Sequence, residues 1–438
     1  MTDAFDAGLL SPVTAGEDEG LGDADVADAL VEAERALVAA YADLGAIPDP
    51  GPLPLATPDA RELALAAVAG GNPVIPLVTQ LRRQAPEQVA GWIHRGATSQ
   101  DIVDTVLMIL ARRVVRRIDG ELARAEHALA RLAREHRDLV VVARTLTQHA
   151  VPTTFGLRAA NWRAGVRRAR QRLAALAFPA QLGGAGGTLA AVVEAVGSEK
   201  ASRLPEAFAR ACGLDAPEGV WHVVRWPVTE LGDALAQAID AAGVVAADVA
   251  TLSRTEIGEV AEATGGGSSA MPQKRNPARS VLLRSAAVRA PHLAATLHQA
   301  AGLAVDERPD GAWHAEWPAL RELLRLAQGA AARLADLASG LRVDRDAAAR
   351  TLAETGALVV SERLSVALGR DAAQEIVAAI ARGEDAAALV REAGGDPGEL
   401  LDPARYTGLA GPLTDRELAR SGRPSPDPSS EPSPEEGA

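Results

Sequence analysis

The stretch from Ser99 to Val142, SQDIVDTVLMILARRVVRRIDGELARAEHALARLAREHRDLVVV, contains no proline and a single glycine, Gly120. Apolar residues recur in it at Val103, Leu107, Leu110, Val114, Ile118, Leu122, Leu129 and Leu132. That three-and-four spacing lines one face of a helix. The run is far longer than the average helix of about 12 residues. The same signature returns at Leu231, Leu235, Ala238, Ala242, Val245, Val249 and Leu252, and again from Leu320 to Leu341. Seams of this kind pack long helices at shallow crossing angles, as in a bundle.

Outward from these seams the pattern stays helical. Asp25–Leu44 and Asp59–Ala69 read as helices, separated by the Pro/Gly-rich stretch 48–58. Pro152–Leu176 and Pro277–Ala301 read as two more, and no alternating strand is evident. Short helices are expected after 343, broken at Gly356, Gly369, Gly383 and Gly394. Aromatic residues make up only 3% of the chain, which favours helices over aromatic-rich β-sandwiches. The expected fold is all-α. An elongated central bundle of long helices, 99–342, is flanked by an N-terminal helical domain, 1–98, and a small C-terminal one, 343–411. The rest, 412–438, is expected to be a disordered tail. From Ser421 on it holds proline, serine and acidic residues with one apolar residue, Ala438, too little to offset ordering entropy.

The 438 residues are ample for a large core, and 47% of them are hydrophobic. Acidic residues outnumber basic ones, 58 to 45, for a net charge of −13. Such a surface repels phosphate backbones and anionic lipid, which argues against nucleic-acid and membrane partners. The N-terminus lacks the basic-then-apolar layout of a signal peptide, and no uncharged apolar run approaches a membrane span. The single cysteine, Cys212, excludes an internal disulfide framework and suits a cytoplasmic setting. None of the eight histidines has zincin-type spacing, so no metal site is expected. Only two lysines occur, Lys200 and Lys274. Where arginine does nearly all cationic duty, a retained lysine points to a need for a compact ammonium.

Lys274 lies in Thr264-Gly-Gly-Gly-Ser-Ser-Ala-Met-Pro-Gln-Lys-Arg-Asn-Pro277, where three glycines precede two hydroxyls and a helix begins at the second proline. Glycine runs give the mobility of closing lids. A serine becomes a base only when its alkoxide is stabilised, here by Lys274, backbone amides or a helix N-terminus. A second segment, Trp92-Ile-His-Arg-Gly-Ala-Thr-Ser-Gln-Asp101, ends at the start of the longest helix. Thr98 and Asp101 have capping-box spacing, and the hydroxyls of Thr98 and Ser99 at a helix N-terminus also suit a carboxylate. A third, Arg144-Thr-Leu-Thr-Gln-His-Ala-Val-Pro-Thr-Thr-Phe-Gly156, places His149 in a loop stiffened by Pro152. A histidine there can act as general acid or orient a carboxylate.

Residues 267–277, Gly-Ser-Ser-Ala-Met-Pro-Gln-Lys-Arg-Asn-Pro, resemble the signature of the fumarase/aspartase superfamily. The segments around Thr98-Ser99 and His149 are similar to its two other shared regions, in the same order. A finer resemblance is to the bacterial 3-carboxy-cis,cis-muconate cycloisomerases. It is carried by Gly71-Asn-Pro-Val-Ile-Pro-Leu77, His94-Arg-Gly-Ala-Thr-Ser-Gln-Asp101, Pro179-Ala-Gln-Leu-Gly-Gly-Ala-Gly-Gly187 and Glu307-Arg-Pro-Asp-Gly-Ala-Trp-His-Ala-Glu-Trp317. The resemblance implies an all-helical, three-domain chain, a homotetramer whose active sites combine regions from different subunits, and no metal or organic cofactor. Two positions depart from other branches. Val281 stands where many lyases of the superfamily have a glutamate, and Leu146 where many have a further histidine.

The activity so implied is closure of 3-carboxy-cis,cis-muconate to a lactone in protocatechuate catabolism. Read backwards, it is a β-elimination with carboxylate as leaving group. The roles implied are Ser268 as proton donor, with Ser269 as the alternative, and Lys274 and Asn276 on a substrate carboxylate. Thr98 and Ser99 would bind a second carboxylate and His149 the attacking group, with Arg225 and Arg308 as further anion-binding candidates. The rival on the same scaffold is a C–N lyase releasing fumarate from nitrosuccinate or an amino-acid adduct such as adenylosuccinate or argininosuccinate. A non-catalytic structural oligomer is a remoter one.

Overall fold

A computed structural model of the chain describes residues 7–17, 19–263, 266–267 and 271–420. The long seams are long helices: Ser99–Glu135, Trp226–Leu252 and Gly311–Gly340, joined by Phe155–Ala174 and Ala278–Gly302. Shorter helices precede them at Asp23–Asp43, Ala60–Gly70 and Val74–Gln84. Asp59 caps the second of these by accepting from the Glu62 amide at 2.9 Å. The Ser99–Glu135 helix is more enclosed than a one-face seam requires. Ile102, Val103, Val106, Met108, Ile109, Leu110, Ala111, Val114 and Val115 are all buried, so its first turns are packed on every side. Trp226–Leu252 has the length and composition to cross a bilayer, but its Val228, Leu231, Leu235, Ile239, Val245 and Val249 are buried within the protein.

The helix expected to reach Val142 stops at Glu135, and an antiparallel hairpin follows, Val140–Thr145 paired with Gln148–Thr154. This corrects the expectation of no strands and moves His149 from a loop into a strand, opposite Arg144. The reason is local. The turn is made by Leu146 and Thr147 at φ 47° and 72°, a left-handed pair usually signalled by Asn or Gly. Without that signal the valine run reads as a continuation of the helix. A second, minimal pair joins Val260–Ala261 to Arg342–Val343.

The chain forms two compact units. One comprises Met1–Gly120, Ala175–Asp240 and Ser285–Ala332, and the other Glu121–Ala174, Ala241–Arg284 and Arg333–Ala438. Four of the long helices contribute residues to both. In the second unit, Val142 packs with Val359 and Val360, and Leu364, Ala373, Ile376 and Val390 form a separate small core among the short C-terminal helices. The expected start of the tail at 412 is also corrected, because Ala410–Ala419 is a helix. Thr414 is fully buried there, and Glu417 accepts from Arg163 and Arg167. The serine/proline segment 421–438 lies outside the described residues.

Candidate active site

In the first unit the polar residues gather at the first two turns of Ser99–Glu135. Asp101 is fully buried and accepts four hydrogen bonds. Its Oδ1 takes the Gly183 amide at 2.9 Å and His222 Nε2 at 2.7 Å. Its Oδ2 takes the amides of Thr98 and Gly184, each at 2.9 Å. The capping box is therefore half made: Asp101 reaches back to Thr98, while the Thr98 hydroxyl is used elsewhere.

That hydroxyl accepts from Arg308 Nη2, which also donates to the Ala185 carbonyl at 3.2 Å. Arg308 Nε is buried with no acceptor, and among the described residues no carboxylate pairs with this guanidinium. Thr98 and Arg308, both anion-binding candidates, are thus brought together, with Ser99 half-buried beside them. A guanidinium with spare donors next to a hydroxyl is suited to take a carboxylate with two parallel hydrogen bonds.

Arg225 does not fit that role. Its side chain is wholly buried between two carboxylates, donating to Asp104 at 2.6 and 3.0 Å and to Glu316 at 2.6 and 3.1 Å. Asp104 also accepts from Trp313 Nε1 at 2.9 Å and Gln100 Nε2 at 3.2 Å. Burial works against the charge, but Asp104 and Glu316 more than offset it and hold the guanidinium protonated more firmly than usual. With its fork taken on both sides, Arg225 is a structural cation, and its candidacy for substrate binding is withdrawn. His94 is structural too, with Nδ1 at 2.7 Å from the buried Glu34.

In the second unit, His149 is half-buried on its strand, with Nδ1 2.6 Å from Thr355 Oγ1. That contact orients the ring and leaves Nε2 without a partner among the described residues. Arg144, opposite it in the hairpin, donates to the buried Glu259 at 2.6 Å. The signature loop is tied at its base by two backbone hydrogen bonds, Gly266 N–H to Asn276 at 2.9 Å and Asn276 N–H to Gly266 at 3.0 Å. Between these ties Met271 to Arg275 are exposed, Lys274 among them, and Asn276 is half-buried. Ser268 and Ser269 lie outside the described residues.

One expectation about the loop changes. The N-terminus of Ala278–Gly302 does not wait for an alkoxide, because Glu262 already caps it. Its carboxylate accepts from the amides of Arg279 and Ser280 at 3.1 and 2.9 Å and from Ser280 Oγ at 2.8 Å. This leaves Lys274 and Asn276, among the described loop residues, as the candidates for an anion. Asp101, His222, Glu316 and Glu262 had not been singled out as site residues. Two of the four lie inside phrases that carry the family resemblance, Asp101 in His94–Asp101 and Glu316 in Glu307–Trp317, while His222 lies three residues before the candidate Arg225. Glu262 had no such signal.

A mainly helical scaffold, an arginine with no carboxylate partner among the described residues beside a threonine hydroxyl, and an exposed Lys274 are features suited to a small carboxylate. The comparisons agree. A family model described as lyase matches residues 66–291, and the chain belongs to that family, within the fumarase/aspartase superfamily. Nitrosuccinate lyase of Streptomyces davaonensis is 44% identical, over 96% of this chain and 96% of its own. The 3-carboxy-cis,cis-muconate cycloisomerase of Bradyrhizobium diazoefficiens is 40% identical over 77% of each chain. Among solved structures, the 3-carboxy-cis,cis-muconate lactonizing enzyme of Pseudomonas putida superposes with a TM-score of 0.84 at 32% identity, covering 94% of this chain and 98% of that one.

Proposed function

We propose that the chain catalyses β-elimination from a substituted succinate, with nitrosuccinate as the leading substrate and fumarate and nitrite as products. The observation that carries this reading is the end-to-end match to nitrosuccinate lyase, 96% of both chains at 44% identity. The rival on the same scaffold thereby moves ahead of the lactonisation that the sequence phrases favour. Lactonisation of 3-carboxy-cis,cis-muconate stands as the second reading, supported by those phrases and by the lactonizing enzyme's TM-score of 0.84.

The chemistry is shared. A base removes the proton from the carbon beside one carboxylate, the electron pair forms the new double bond, and the C–N bond breaks with its pair leaving as nitrite. The hard species is the carbanion, tolerable when its carboxylate takes up the charge as an aci-dianion held by preorganised donors. In this reading Ser268 takes the proton, with Ser269 as the alternative. Lys274 and Asn276 hold the aci-carboxylate and support the alkoxide. Thr98, Ser99 and Arg308 hold the distal carboxylate, and His149 faces the leaving group through its free Nε2. We further propose that these groups meet across the subunits of a homotetramer.

The test is to incubate purified protein with nitrosuccinate and, separately, with 3-carboxy-cis,cis-muconate. Equal release of fumarate and nitrite supports the leading reading. Loss of the diene absorbance with no nitrite from nitrosuccinate overturns it in favour of lactonisation. Inertness toward both overturns the two readings together.

A further inference from the structure

We propose that Asp101 is a positioning residue, the hub that holds both walls of the Thr98–Arg308 anion site at a fixed separation; this rests on the assignment of that pair to a substrate carboxylate. One wall is Thr98, whose backbone N–H is held by Asp101 Oδ2 at 2.9 Å. The other is the turn 183–185, whose Gly183 and Gly184 amides are held by Oδ1 and Oδ2, each at 2.9 Å. Arg308 bridges the two, from the Thr98 hydroxyl to the Ala185 carbonyl. Its two acceptors therefore sit on segments joined by one carboxylate.

Asp101 itself cannot be the substrate's partner. It is fully buried, and both oxygens are saturated by four donors, so it offers the substrate no free lone pair. The turn is also specific about its residues. Gly184 is at φ 72°, and a Cβ there would come within 2.8 Å of the Gly96 carbonyl, so only glycine lets the turn approach this closely. His222, the fourth donor, fixes the rotation of the carboxylate from outside the anion site.

Asp101→Asn is nearly isosteric but replaces an acceptor oxygen by an NH2 group, which must face N–H donors. Leaving such buried donors unmatched is expected to raise KM for the carboxylate substrate about tenfold or more, with kcat within a few-fold of wild type. Gly184→Ala displaces the turn from the Asp101 carboxylate while leaving that side chain unaltered, and should raise KM in the same way, which keeps the question answerable if Asp101→Asn folds poorly. Amide hydrogen exchange supplies a readout that needs no substrate. In both variants exchange should quicken together in 183–185 and in the segment around Arg308, with the 140–154 hairpin unchanged. Unchanged KM in both variants, or faster exchange confined to 183–185, overturns the proposal. A wild-type enzyme inert toward both substrates counts against the proposed reaction, while the exchange experiment still decides the role of Asp101.

Discussion

The start of the Ser99–Glu135 helix and the signature loop both carry polar groups expected to meet a carboxylate, yet they are built in opposite ways. At the helix start every carboxylate is buried and matched. Asp101 has four donors, and Asp104 and Glu316 enclose Arg225. In the loop, Lys274 is exposed, and the described part carries the Gly266–Asn276 backbone pair and a Met271–Lys274 turn. The first arrangement holds its groups at a set geometry, as the proposed carboxylate site requires. The second leaves Lys274 exposed. Within the helix-start region the same contrast divides two arginines: Arg225 is spent on protein carboxylates and Arg308 is not. What leaves an arginine's charge available to a substrate is the absence of an internal carboxylate partner rather than closeness to the site.

This contrast can be broken by experiment. The largest expected effect is on rate. Ser268→Ala, which removes the proposed acid/base hydroxyl, should lower kcat by about 10²–10⁴ with no change in the unfolding midpoint. A variant as active as wild type, with Ser269→Ala inactive, would transfer the role by one residue. Arg225→Met should instead act on folding. It leaves Asp104 and Glu316 as uncompensated buried charges, worth about 3–5 kcal/mol, to be measured by denaturant unfolding. A stable Arg225→Met protein with a raised KM would erase the distinction between the two arginines.

Lys274→Arg comes next. A planar guanidinium in place of a compact ammonium misplaces the loop, and displacement by about 1 Å can cost 10²-fold in kcat. Near-normal turnover in Lys274→Arg, with Lys274→Met poor, would mean that charge alone is required. Arg308→Met should raise KM about tenfold while leaving the unfolding midpoint within a degree or two, since no buried carboxylate is orphaned. The smallest effect is at the hairpin. Leu146→Asn combined with Thr147→Gly should stabilise the protein by about 1 kcal/mol, because both positions are left-handed. Unchanged or lowered stability would show that the 146–147 turn carries contacts of its own.

The long helices were legible because their seams repeat at three-and-four spacing for several turns, a signal that survives any local exception. The helix expected from Asp59 begins one residue later, with Asp59 as its cap, and Asp101 had the right spacing to Thr98. The 140–154 hairpin was not legible, since Leu146 and Thr147 carry no turn signature and Val140 to Val142 extend an apolar run. Nor was the fate of Arg225, whose partners Asp104 and Glu316 are 121 and 91 residues away in the chain. The capped N-terminus of Ala278–Gly302 was missed for the same reason: Glu262 arrives from the far side of the glycine loop.

By itself the sequence determined the predominantly helical class, the three segments bearing hydroxyl, histidine and lysine, and the family to which they belong. These depend on periodicity and on short strings of residues, both written along the chain. Only the tertiary structure decided which cation is free and which is consumed, and that Asp101 is a four-donor hub rather than a simple cap. Charge pairing and burial depend on residues a hundred positions apart meeting in space, and no local pattern records that meeting.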